Sequence, residues 1–186
     1  MISCSIKGVR ITFDFGFFMV LAFFSLSDPY GLALSVMCAC IIHEAGHIIT
    51  ALVCGVDIRE VHFRTEGIRM LTDRRINALS KDIPIFLSGP LFNIFAAILY
   101  YIKGSFDPFA VNMVMGCYNL LPFSKLDGGA LLSEILEWFG IFSPIVMRVT
   151  AVLSASAIIL SFILTDTGSV ILYVMLIFLA VSEFCY

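Results

Sequence analysis

The sequence predicts an all-α polytopic membrane protein of about six transmembrane helices, with a small membrane-associated β-hairpin or sheet between the second and third. Composition is the first reason. Of 186 residues, 60% are hydrophobic and only 13% charged, and the mean hydropathy is +1.03, whereas a globular chain is about 45–50% apolar and about 25% charged. The second reason is segmentation: apolar runs near the length of a bilayer crossing, about 17–25 residues, alternate with short segments that hold most of the charge. The third is one sizeable polar stretch, Asp57 to Asp82, in which hydrophobicity alternates with period two.

Six runs follow in order. The first, Ile11 to Leu26, is short and carries Asp14. Lys7 and Arg10 precede it as they would a signal peptide, but Asp14 and the bulky Phe17 and Phe18 suit a retained helix. The second, Tyr30 to Val56, encloses His43, Glu44 and His47. The third spans Ile83 to Ile102, the fourth Pro108 to about Phe123, the fifth Pro144 to Leu164 and the sixth Val170 to about Phe184. Between the second and third, Val61, Phe63 and Thr65 alternate with His62, Arg64 and Glu66. Gly67 then permits a turn before Ile68 and Met70 alternate with Arg69, the pattern of a β-hairpin with open strand edges. After Pro122 and Gly128-Gly129, the stretch Ala130 to Phe139 segregates apolar from acidic residues, as a short interfacial helix does.

Charge sets the expected orientation. With the N-terminus cytoplasmic, ten of the eleven Lys and Arg residues fall on that side and Lys103 alone falls outside. Both termini and the 57–82 loop are then cytoplasmic, in a multi-pass membrane protein. A net charge of −3 offers no basic stripe for nucleic acid. The six cysteines lie in or at the ends of apolar runs or near the termini, which fits small packing residues better than a disulfide framework.

The chemistry concentrates in His43-Glu44-Ala45-Gly46-His47. Residues four apart on an α-helix sit one turn above another, so both imidazoles can reach one metal ion while Glu44 stands beside it. This is the H-E-x-x-H arrangement of zinc hydrolases, with glutamate as general base. An acid at the centre of a spanning helix costs about 2.5–3.5 kcal/mol on insertion, so three polar groups on one intramembrane turn call for a neutralising partner. Gly46 permits close helix approach or substrate access. Catalytic zinc usually has three protein ligands. Asp127, after the helix-breaking Pro122 and before two glycines, is the best third, with His62 and Cys40 as rivals. Asn119 is placed to steady an oxyanion; Asn93 could do likewise or simply knit helices together.

Taken together, these residues resemble the site-2 proteases, the intramembrane zinc metalloproteases. HEAGH on an early membrane helix, Ser88-Gly-Pro-Leu-Phe-Asn93 on the next, and Asn119-Leu-Leu-Pro122-Phe-Ser-Lys-Leu-Asp127-Gly-Gly on the following one match in order and spacing. The ending Phe178-Leu-Ala-Val-Ser-Glu183 resembles the stage IV sporulation protein FB branch. The resemblance implies one zinc per chain held by His43, His47 and Asp127, Glu44 activating water, and a membrane-embedded hairpin near the site. The expected organisation is a single metalloprotease domain, residues 1–186, with its catalytic core at about 30–132 and neither a PDZ nor a CBS domain. That expectation sets the chain apart from the sporulation branch, which continues into a soluble CBS domain, and leaves the sporulation role and the substrate open. The expected partners are a membrane-associated protein substrate, the lipid bilayer and a regulatory or inhibitory membrane protein, with no nucleic acid and oligomerisation left open. Two rival functions share the histidines: a membrane metal transporter, for which the last two runs provide no central polar path, and an inactive scaffold, whose motif would ordinarily be broken.

Overall fold

A computed structural model describes residues 2–6, 9–29, 31–56, 58–64, 67–72, 79–165 and 170–184. Thr65 and Glu66 of the expected strand alternation, and Lys7, Arg74 and Arg75 of the charge count, lie outside the described residues. Within them the chain forms strands β1 (Ile2–Ile6) and β2 (Val9–Phe13), helices α1 (Phe15–Leu26) and α2 (Leu32–Val53), and strands β3 (Ile58–Arg64) and β4 (Gly67–Thr72). Helices α3 (Leu79–Ile102), α4 (Phe106–Asn119), α5 (Asp127–Trp138), α6 (Pro144–Thr165) and α7 (Val170–Ser182) follow. The fold is mostly helical with one small sheet. The chain divides within α4 into two compact units, Met1–Gly116 and Cys117–Tyr186.

Among the described residues, three helices are long and apolar enough to cross a bilayer: Leu32–Val53, Lys81–Ile102 and Pro144–Thr165. Their outer faces carry exposed aliphatic and aromatic side chains, among them Leu52, Phe95, Leu99, Leu153 and Leu160, which suits lipid far better than water. The first, fourth and sixth runs form shorter helices of 12, 14 and 13 residues. At 1.5 Å per residue these reach about 18–21 Å, against a hydrocarbon core of about 30 Å. Three of the six expected crossings therefore have full length among the described residues.

The first run also begins differently from the expectation. Ile11 to Phe13 belong to β2, not to a helix, and Asp14 is the N-cap of α1. Val9, Ile11, Thr12 and Phe13 are β-branched or aromatic, which favours a strand once a partner is present. That partner is β3. The sheet order is β1-β2-β3-β4, with β2 and β3 parallel, Arg10 opposite Glu60 and Phe13 opposite Phe63. The expected hairpin of β3 and β4 is present and antiparallel, from Ile58 opposite Thr72 to Arg64 opposite Gly67. Its β3 side is covered by β2, so its remaining edge is β4.

In the first unit a cluster of Ala51, Val56, Ile58, Val61 and Ile85 ties the sheet to the end of α2 and the beginning of α3. Helix α2 stops there for a local reason. Gly55 takes a left-handed φ of 68°, the Val56 N–H donates to Ala51 O at 2.9 Å and the Gly55 N–H to Leu52 O at 3.0 Å. This is a Schellman closure with a buried apolar residue just beyond the glycine.

In the second unit Phe123, Ala151, Ala155, Leu176 and Leu179 form the core. Ala151 and Ala155 lie one turn apart on α6 and let α7 approach closely. Helix α5 starts at Asp127, three residues before the expected Ala130.

Candidate metal centre

His43 and His47 lie one turn apart on α2 and both are buried. Their Nε2 atoms face each other at 3.2 Å. The other ring nitrogens settle which tautomer each adopts. His47 Nδ1 lies 2.7 Å from the Ile85 carbonyl oxygen, which can only accept, so Nδ1 carries the hydrogen. His43 Nδ1 lies 2.8 Å from Asn93 Oδ1. The Asn93 amide orientation is fixed because its Nδ2 donates to Ala39 O at 2.9 Å and to Asn112 Oδ1 at 3.0 Å. Asn112 in turn donates from Nδ2 to Pro108 O at 2.8 Å. His43 Nδ1 is therefore a donor as well, and in both neutral rings Nε2 is left with a lone pair.

Two lone pairs 3.2 Å apart repel unless a cation lies between them. Two nitrogens bound to one tetrahedral zinc at about 2.0–2.1 Å would be about 3.3–3.4 Å apart. The imidazoles thus fit a zinc ion in donor type, tautomer and spacing, and their outer nitrogens have the partners that orient metal-bound histidines.

The helix crossing that brings Asn93 and Ile85 to the pair depends on two glycines. A Cβ at Gly46 would lie 2.7 Å from Ser88 O and 3.0 Å from Phe92 Cγ. One at Gly89 would overlap His47 Nε2 and press on His43 Cε1. Of the two roles open to Gly46, the structure supports close helix approach. Glu44 sits half-buried on the same turn of α2.

His62 and Cys40 do not join the pair among the described residues. His62 is buried in β3 with Nε2 3.3 Å from Glu60 Oε1, and Thr12 Oγ1 donates to that same oxygen at 2.6 Å. Cys40 is a half-buried helix residue.

In the second unit Asn119 is the last residue of α4 and Asp127 the first of α5, both half-buried. The turn between them is tight because Gly128 and Gly129 have no side chains. A Cβ at Gly128 would overlap Leu120 O, and one at Gly129 would overlap Phe123 O.

Sequence reasoning missed Asn112, the Ile85 carbonyl and Gly89. For Asn112 the signal was present, an amide inside an apolar run. The other two depend on how α2 and α3 cross. Asn93, for which helix packing and a catalytic role were equally open, knits α2, α3 and α4 together through Ala39 and Asn112 and also orients His43.

No protein-family model matches the sequence, and no curated protein matches it. The fold is similar to that of the Site-2 Protease from Methanocaldococcus jannaschii, with a TM-score of 0.62 and 22% sequence identity over 98% of this chain and 94% of that one. The chain has a site-2 protease fold.

Proposed function

We propose, from a site-2 protease fold and a pair of buried imidazoles, that this chain is an intramembrane zinc metalloendopeptidase. It cleaves a membrane-associated protein within or near the bilayer, toward the cytoplasmic face of a bacterial cell membrane, in regulated intramembrane proteolysis. The observation that carries the reading is the convergence of two Nε2 lone pairs at 3.2 Å, with Glu44 on the same helical turn.

His43 and His47 would hold the ion, and Asp127 is our third ligand. A two-histidine, one-carboxylate set is common in catalytic zinc sites. When bound, the ion would supply Lewis acidity and lower the pKa of a water toward about 7. Glu44 removes the proton of the attacking water and delivers it to the leaving amine, as a general base and then a general acid. Asn119 donates from its amide to the carbonyl oxygen as that atom gains charge, a role worth about 3–4 kcal/mol where it has been removed elsewhere. A helical substrate hides its peptide bonds in internal hydrogen bonds and must be drawn out first. The β4 edge supplies backbone groups that hold it as an added strand.

The deciding experiment compares wild type with Glu44→Gln, purified and co-expressed with a membrane-anchored substrate. The variant keeps its zinc and loses cleavage. Full activity in Glu44→Gln would rule the mechanism out.

A further inference from the structure

One buried acid in the second unit has no part in the chemistry above. Glu183, just beyond the C-terminal end of α7, is 6% exposed. Its carboxylate turns inward to the segment that leads into α5. Ser124 N donates to Glu183 Oε1 at 2.6 Å and Ser124 Oγ donates to Oε2. Both oxygens are thus spent on one residue, three positions before Asp127. Phe123, on the other side of Ser124, is fully buried in the core, but Ser124 itself is exposed and borders a cavity of about 260 Å³. Packing secures Phe123, and the carboxylate secures Ser124.

We propose that Glu183 is a positioning residue: it clamps Ser124 and so fixes the start of α5, from which Asp127 is presented as a metal ligand. The role rests on the metalloprotease reading above. The backbone of residue 183 has its own tether, because Arg148 Nε donates to Glu183 O at 3.1 Å. Removing the carboxylate therefore frees the Ser124 segment while the end of α7 stays anchored.

The test uses the full chain in detergent, with Glu183→Ala and the milder Ser124→Ala, which loses only the hydroxyl donor. Two quantities are read: hydrogen exchange of the Ser124 amide in metal-free protein, and zinc affinity by chelator competition. Glu183→Ala speeds that exchange by about tenfold or more and lowers zinc affinity by about 10–100-fold, the usual effect of losing a group that orients a ligand. Ser124→Ala lowers affinity less. In an Asp127→Asn background Glu183→Ala lowers affinity no further, since the ligand it positions is already gone. Unchanged exchange, unchanged affinity, or an equal loss in the Asp127→Asn background overturns the positioning role. A wild-type chain that binds no zinc overturns the metalloprotease reading itself, so the two failures are distinguishable. Should Glu183→Ala not fold, Ser124→Ala decides on the same readings.

Discussion

Asn93 on α3 accepts a hydrogen bond from His43 Nδ1 on α2 at 2.8 Å, while its own amide nitrogen is committed to Ala39 and Asn112. One fully buried side chain thereby fixes the tautomer of a candidate ligand and joins three helices. Asn93→Leu strands the His43 Nδ1–H and takes a donor from both the Asn112 oxygen and the Ala39 carbonyl. We expect zinc affinity to fall by about 10–100-fold, measured by chelator competition, with a loss of at least about 1–3 kcal/mol in unfolding free energy.

The glycines of α2 and its neighbour separate two effects of added bulk. Gly89→Ala drives a methyl into His47 Nε2, and neither ring can retreat, because each is held at Nδ1. Overpacking of this kind costs about 1–3 kcal/mol, and the variant should purify with little zinc. Gly55→Ala is the control. Its φ is 68° and nothing lies within 4 Å of the new carbon, so it pays a backbone penalty of about 1–2 kcal/mol and retains its metal. Elemental analysis of both proteins checks the contrast.

Metal binding is linked to folding. A ligand present at about 100 times its dissociation constant stabilises the folded state by about 2.7 kcal/mol. Chelator-stripped protein should therefore melt at a lower temperature and recover on zinc addition. His43→Ala and His47→Ala should abolish the zinc-dependent shift, a result that calorimetry in detergent can read. An equal shift in wild type and both variants would mean that zinc binds elsewhere.

At the start of α5 the expected effect is on catalysis as well as stability. Gly128→Ala places a methyl on the Leu120 carbonyl, so the first turn of α5 must move away from the end of α4. Cleavage should fall by more than the stability loss of about 1–3 kcal/mol explains, because Asp127 moves with that turn. The comparison is substrate turnover against thermal unfolding in the same preparation.

Much of this was legible in the sequence, and for identifiable reasons. The four-residue spacing of His43 and His47 is a local property of any α-helix, so their meeting needed no knowledge of tertiary structure. The β3–β4 hairpin was legible because strand alternation is equally local. The pairing of β2 with β3 was not: residues about fifty positions apart leave no periodic trace, and Ile11 to Phe13 reads as the head of the apolar run that follows. The start of α5 was misplaced because Gly128-Gly129 reads as a breaker, whereas here the two glycines are where helix and turn touch. Asn93 was recognisable as an intramembrane amide open to packing or catalysis, but that it packs the helices and also orients His43 emerges only from the crossing of α2 and α3.

The parallel register of β2 and β3 has a bearing on biogenesis. Residues 10–13 cannot meet their partners until residues 60–63 have emerged from the ribosome, by which time α1 and α2 have already been synthesised. The sheet is thus completed late, and a nascent chain holding the histidine motif lacks both this scaffold and the α3 groups that orient its imidazoles. Assembly of the two imidazoles with the groups that orient them is consequently withheld until synthesis has passed well beyond the motif itself.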